Sequence, residues 1–339
     1  MSKERPAIYR RPWLVLGVLG ILFAGAYFLF SGRQPTPSPG PVEEEIFLAT
    51  DCSEDVTEGL NRLVARADEG STILLEPLGC YRVDGTISVE DKRNLTIDGN
   101  GATLDGSRVP GERSRRHIRV RGGADLTMRN FTILGSRCAQ PPCEGPGLSA
   151  MERQHGIAVE NVAGMLIERM TIKNVWGDFI YISRKGEGER PSDVVVADSY
   201  FRNSGRQGIA PSGVVRLEVR NNVLVDAGRS VFDFESEGGG ATDVLLVDND
   251  IVRPDNATLN VGCADRGTGV PLNEGPIVLT GNRIYQGLLE VDTACGGQEE
   301  LSEQLKVVVE DNTDNLDGEP AESASIGAPT ARGPSGSGT

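Results

Sequence analysis

RQHGIAVENVAG, residues Arg153–Gly164, returns as RQGIAPSGVVR from Arg206, one residue shorter and with the same Gly-Ile-Ala core. Self-similarity at a period of roughly 20 to 50 residues is the mark of a stacked repeat. Working outward from these two copies, seven short stretches align: HIRVR at Ile118, GIAVE at Ile157, FIYIS at Ile180, GIAPS at Ile209, VFDFE at Phe232, TLNVG at Leu259 and LLEVD at Leu289. Their spacings run from 23 to 39 residues. Apolar and polar residues alternate with period two in each, so each reads as a half-buried strand. Ile118, Val120, Ile157, Val159, Ile180, Ile182, Phe232 and Phe234 are the expected inward positions.

Every unit carries a second apolar-polar run, such as LIERMTI, LEVRNNVLV and LLVDNDIV, broken by a small polar turn. Asn130, Asp198, Asn221, Asn249 and Asp311 occupy the same place in that pattern, where the backbone calls for a residue tolerant of the left-handed conformation. No repeating unit holds a helix-length segment. Units this small cannot bury an apolar face alone and are stabilised by stacking, rung on rung, with neighbouring strands about 4.8 Å apart. DVTEGLNRLVARADEG ahead of the repeats puts Val56, Leu60, Leu63 and Val64 on one helical stripe, a cap over Asp55–Ala67 for the edge of the first rung. The expected fold class is therefore all-β: a parallel β-helix solenoid over residues 46–314 with an N-terminal capping helix.

The segments outside the repeats differ in composition. Residues 1–12 carry Lys3, Arg5, Arg10 and Arg11, and WLVLGVLGILFAGAYFLF (Trp13–Phe30) follows without a charge. At about 1.5 Å per residue this run spans a hydrocarbon core, and the basic flank places the N-terminus in the cytoplasm. A single-pass signal anchor with the remainder outside the cytoplasm is the expectation; a cleaved signal peptide ending near Ala24-Gly25-Ala26, giving a secreted protein, is the alternative. Residues 31–45 (SGRQPTPSPGPVEEE) form a stiff spacer, and residues 315–339 hold almost nothing to bury. A formal charge of −15 argues against a nucleic-acid partner. Six cysteines in an exported chain suggest disulfides. Of fifteen possible pairings, sequence proximity favours Cys52 with Cys80, Cys138 with Cys143, and Cys263 with Cys295; metal ligation is disfavoured by the absence of CxxC spacing.

The cysteine-containing amphipathic helix, GSTILLEPLGCY and NLTIDGNGATLDG together resemble the right-handed parallel β-helix superfamily of pectate lyases and polygalacturonases, over roughly residues 50–312. The resemblance implies a right-handed coil. It carries little of the catalytic pattern. The positions matching the N-T-D, G-D-D and G-H-G motifs of polygalacturonases read RQHGI, GDFIY and RQGI, and R-I-K has no counterpart. Asp178 stands as the first acid of G-D-D, Phe179 lies near the second, and Gln207 stands in place of the histidine.

Outward side chains on the aligned strands form columns. One runs Arg119, Ala158, Tyr181, Ala210, Asp233, Asn260, Glu290; the next runs Arg121, Glu160, Ser183, Ser212, Glu235, Gly262, Asp292. The small residues beside Tyr181 leave a trough, and a trough with acids, arginines and an aromatic plane suits a polysaccharide. Arg121, Tyr181, Gln207 and Arg229 are the expected substrate contacts. In SVFDFES, Asp233 and Glu235 stand two residues apart on one strand face, about 6.6 to 6.8 Å between Cα atoms, a spacing compatible with the acid-base pair of inverting glycosidases. Asp178 lies two rungs away, and His155, one rung before it, is a candidate base or orienter. The resemblance to pectate lyases implies elimination with an arginine base and calcium as cofactor, and Arg206 and Arg229 beside Asp178, Asp233 and Glu235 are the candidates for the base and the calcium site. Two functions follow: a glycoside hydrolase or polysaccharide lyase using Asp178, Asp233, Glu235, His155 and Arg206, or a non-catalytic surface β-helix that binds glycan or a protein.

Overall fold

A computed structural model describes residues 46–108, 115–139, 151–235, 237–254, 257–262, 275–294 and 306–318. Among these residues the strands form three parallel sheets of ten, eight and nine strands, and sequence neighbours lie in different sheets. The chain thus passes from face to face and returns one rung later, the arrangement expected of a coil whose units cannot fold singly.

The eight-stranded sheet is the one that carries the aligned repeats. Its rungs run Ile87–Glu90, Ile118–Arg121, Ile157–Glu160, Ile180–Ser183, Ile209–Ser212, Phe232–Phe234, Leu259–Gly262 and Val291–Ala294. Ile118, Ile157, Ile180, Ile209, Phe232 and Leu259 stack in direct register. These residues and Val120, Val159, Ile182 and Phe234 are buried in one continuous core.

Two features differ from the sequence reading. A first rung, Ile87–Glu90, precedes the seven strands that were aligned. At the other end Leu259 pairs with Val291, not Leu289, so Asn260 lies beside Asp292 and not Glu290. A shift by two residues keeps the same side chains outward, because side chains alternate with period two. Alternation therefore cannot detect it.

The repeated Gly-Ile-Ala has a steric cause. A Cβ on Gly156 would lie 2.6 Å from the carbonyl oxygen of Phe179, and one on Gly208 would lie 2.4 Å from that of Val231. Each glycine thus lets the backbone of the next rung approach. The polar turns hold with one correction. Asn130, Asp198, Asn221 and Asp311 have positive φ, but in the LLVDNDIV unit Asp248 takes that conformation instead of Asn249. Asn249 is buried and joins a ladder of side-chain amides with Asn222, Asn282 and Asn312.

The capping helix runs Thr57–Arg66, with Val56, Leu60 and Val64 buried against the first rungs. Leu63 is only partly buried at its margin. Cys52 and Cys80 are joined by a disulfide with Cα atoms 5.0 Å apart, closing the loop that holds this helix. Cys138 is also disulfide-bonded; Cys143, Cys263 and Cys295 lie outside the described residues. Residues 1–45, with the apolar run Trp13–Phe30, lie outside them too. Among the described residues no helix is long and apolar enough to cross a membrane. The boundary read at residue 314 falls inside the last strand, Thr313–Leu316.

Candidate active site

Along the outer face of the eight-stranded sheet lies a cleft of ≈ 700 Å³ whose lining is mainly charged and polar. The repeat explains how it is built. Each rung offers outward residues at fixed positions, and the short turn before each strand adds one or two more. His155, Gln207 and Arg206 enter from such turns, Tyr181 and Asp233 from the strands themselves, and Glu235 from just past a strand end.

Asp178 is fully buried and does not line the cleft. Its Oδ1 accepts the backbone N–H of Gln207 at 3.0 Å. Its Oδ2 lies 3.2 Å from His155 Nδ1 and 3.4 Å from Arg206 Nη1. The expected contact of His155 with Asp178 therefore exists, but beneath the floor, where neither Asp178 oxygen reaches a ligand. Its place is that of an orienting group. His155 Nδ1 thus faces both the carboxylate of Asp178 and its backbone N–H, the latter at 3.1 Å, which fixes the plane of the ring.

Arg206 links Asp178 to Glu235, reaching the Glu235 carboxylate with Nη2 at 2.7 Å. Burial, the largest single influence, works against its charge; the carboxylates of Asp178 and Glu235 outweigh it and hold the guanidinium above its ordinary range. A cation so held cannot accept a proton near neutrality, which removes Arg206 as an elimination base. It is the counter-ion of the site.

Asp233 is buried and accepts from two side-chain amides: Gln207 Nε2 at 2.6 Å and Asn260 Nδ2 at 2.7 Å. Burial, the dominant effect, pushes its carboxyl above the usual aspartate range against those two hydrogen bonds, and the charge of Asp178 adds to the rise. Glu235 is raised as well. Burial is again first, opposed by Arg206 and reinforced by Asp178 and Asp233. The strand ends at Phe234, and the Glu235 N–H reaches Pro211 O on the preceding rung at 2.9 Å and Asp233 O at 3.2 Å.

Two expected substrate contacts need correction. Arg121 is absent from the cleft lining; its Nε pairs with the buried Glu160 at 3.0 Å, because that carboxylate has to be neutralised. Tyr181 lines the cleft but is no open platform: its ring stacks on His155, centroids 4.8 Å apart and planes 10° from parallel, with Lys185 Nζ 5.1 Å from its centroid. Gln207 and Arg229 both line the cleft, Gln207 buried and Arg229 exposed. Asn260, Lys185 and Arg153 were not singled out from the sequence. Asn260 stood one rung from Asp233 in the outward column, so the signal for it was present. Lys185 and Arg153 lie where alternation gives no direction.

Residues 81–251 match the family described as the right handed beta helix region. The chain belongs to that family. Solved β-helices of similar fold include the Agl-KA catalytic domain (12% identity, TM-score 0.52, covering 80% of this chain and 47% of that one). A second is a 1,3-α-1,4-β-D-galactose-4-sulfate-3,6-anhydro-D-galactose-2-sulfate 4 galactohydrolase (13%, 0.51, covering 79% and 67%). A third is an iota-carrageenase complexed to iota-carrageenan fragments (14%, 0.50, covering 74% and 55%). The chain spans about half to two thirds of the length of these proteins. They are similar in fold, and at such identity the site must speak for itself. Comparison with curated proteins gives no match.

Proposed function

We propose that this protein is a polysaccharide hydrolase of the extracytoplasmic space, acting on a glycan that carries acidic groups. The observation that carries the reading is the pairing of Asp233 and Glu235, two carboxyls raised by burial and held by different partners, at the floor of one cleft. Asp233, whose carboxylate meets only neutral amides, acts as general acid on the glycosidic oxygen. Glu235, held against Arg206, acts as general base on the attacking water. Water adds its oxygen to the anomeric carbon, Glu235 takes the water proton, and Asp233 delivers its own to the departing sugar.

The acidic character of the glycan rests on the rim. Arg153 and Arg229 are exposed on the cleft and take part in no ion pair with a described residue, and Lys185 stands over Tyr181. On a chain with net charge −15, such free cations at one cleft are matched by ligand carboxylates or sulfates. The basic and apolar N-terminal segments, 1–30, support a tether that leaves the cleft outside the cytoplasm.

The test is turnover by residues 46–318 on a panel of neutral, uronate and sulfated glycans, followed as reducing ends. Hydrolysis of an acidic member is expected, and Asp233→Asn should lower the rate by about 10²- to 10⁴-fold with the thermal midpoint nearly unchanged. Binding to glycan without turnover on any member would make the protein a non-catalytic surface β-helix.

A further inference from the structure

A second, shallower trough of ≈ 860 Å³ continues from the cleft, sharing Arg229, Ser230 and Asn260 with it and running on to Glu290 and Asp292. From Arg116, at the turn before the second rung, to Asp292 on the eighth, the combined groove crosses six rung steps. At about 4.8 Å per step that is about 29 Å, and since a pyranose unit advances a chain by about one step, the groove holds about five or six sugars. The acid pair is not at either end. Asp233 lies on the sixth rung, with four rungs of groove on the Arg116 side and two on the Asp292 side.

The two arms differ in charge. The longer carries the exposed Arg153 and Lys185 over Tyr181; the shorter ends in the exposed carboxylates Glu290 and Asp292. We infer that the protein cuts inside its glycan chain, holding about four units on the long, cationic arm and about two on the short, acidic arm, whose sugars are the less charged part of the repeat. This rests on the hydrolase reading above. Among the described residues the lining continues past Asp233 on both sides, which gives sugars a place on each side of the acid pair.

The test uses polygalacturonate, alginate and a sulfated galactan, with reducing-end-labelled oligosaccharides of two to eight units from whichever is cleaved. Viscosity should fall steeply while only a few linkages have opened. The hexamer should be cut at least ten-fold faster than the trimer, and two units from one end. Mono- or disaccharides released from the outset at constant viscosity, or a rate independent of length above two units, would overturn the inference while leaving the hydrolase reading intact. Loss of the parent reading has a different signature, no turnover of any polymer. In that case calorimetry decides the groove by itself: affinity that stops rising beyond three units overturns the two-armed groove, and a rise up to about six supports it.

Discussion

Arg206 shows how a single residue organises the site. One guanidinium neutralises two carboxylates on different rungs, Asp178 beneath the floor and Glu235 at its surface, and is itself mostly shielded from solvent. Removing one partner of a buried pair leaves charge uncompensated, at a cost of about 3–5 kcal/mol. Arg206→Met should therefore lower unfolding stability by about that amount at pH 7. The direction with pH follows from linkage. Without the cation, the Glu235 carboxyl, already raised by burial, binds its proton more tightly still in the folded state than in the unfolded, so the variant regains stability as pH falls toward the unfolded carboxylate range near 4. Urea unfolding at pH 7 and pH 5 checks this; a deficit that is equal or larger at pH 5 would contradict it. The second histidine illustrates the opposite outcome. His117 is buried and bonded to the His155 carbonyl at 3.0 Å, and burial, with Arg115 next, pushes it down to about 3. It remains neutral and orders the turn that presents His155. In the sequence, the alignment of the repeats was enough to bring Asp178, Arg206, Gln207 and Asp233 onto neighbouring rungs. It could not tell a side chain on the floor from one below it, nor show that Arg121 is committed to Glu160, since both depend on the depth of the turn between rungs.

At the scale of the element, the coil is held by features repeated on successive rungs, in its later half by one that joins four of them. The clearest is the amide ladder, in which Asn249 accepts from Asn222 Nδ2 at 3.0 Å, and donates to Asn282 Oδ1 at 3.0 Å and to the Val219 carbonyl at 2.9 Å. The neighbouring turn residue has a different task, since Asn221 holds a left-handed backbone with φ +54° and is exposed. Asn249→Ala leaves several buried groups unpaired, each worth about 1–3 kcal/mol, and should cost at least about 3 kcal/mol by urea denaturation. Asn221→Gly should be nearly neutral, because glycine adopts that conformation without steric penalty. Comparable losses at both positions would show that the ladder has no special role. These doublets also mark what was legible. The polar pair in each turn was visible in NN and DN, but which member faces outward depends on where the preceding strand ends. The pattern places that end only to within a residue, hence the reading of Asn249 as the turn residue.

At the largest scale, the described residues form a stack in which each rung touches only its neighbours, so damage should remain local. The first rung is the exposed end of that stack. There the Thr57–Arg66 helix buries Val56, Leu60 and Val64 over the coil, and the Cys52–Cys80 disulfide ties the strand before the helix to the Cys80–Arg82 strand that pairs with it, 28 residues on. Closing a loop of that length contributes about 2–4 kcal/mol, chiefly by restricting the unfolded chain. The groove begins only at the second rung and the acid pair lies on the sixth, so the bond guards the fold and not the chemistry. Replacing both cysteines with serine in residues 46–318 should lower stability by about that amount, and hydrogen exchange should rise over residues 46–106. The strands Ile180–Ser183, Ile209–Ser212 and Phe232–Phe234 should keep their protection, and glycan binding should remain unchanged. A uniform loss of protection along all three sheets would instead mean that the coil unfolds as one cooperative body, and that the capping helix stabilises the distant site as much as the rung it covers.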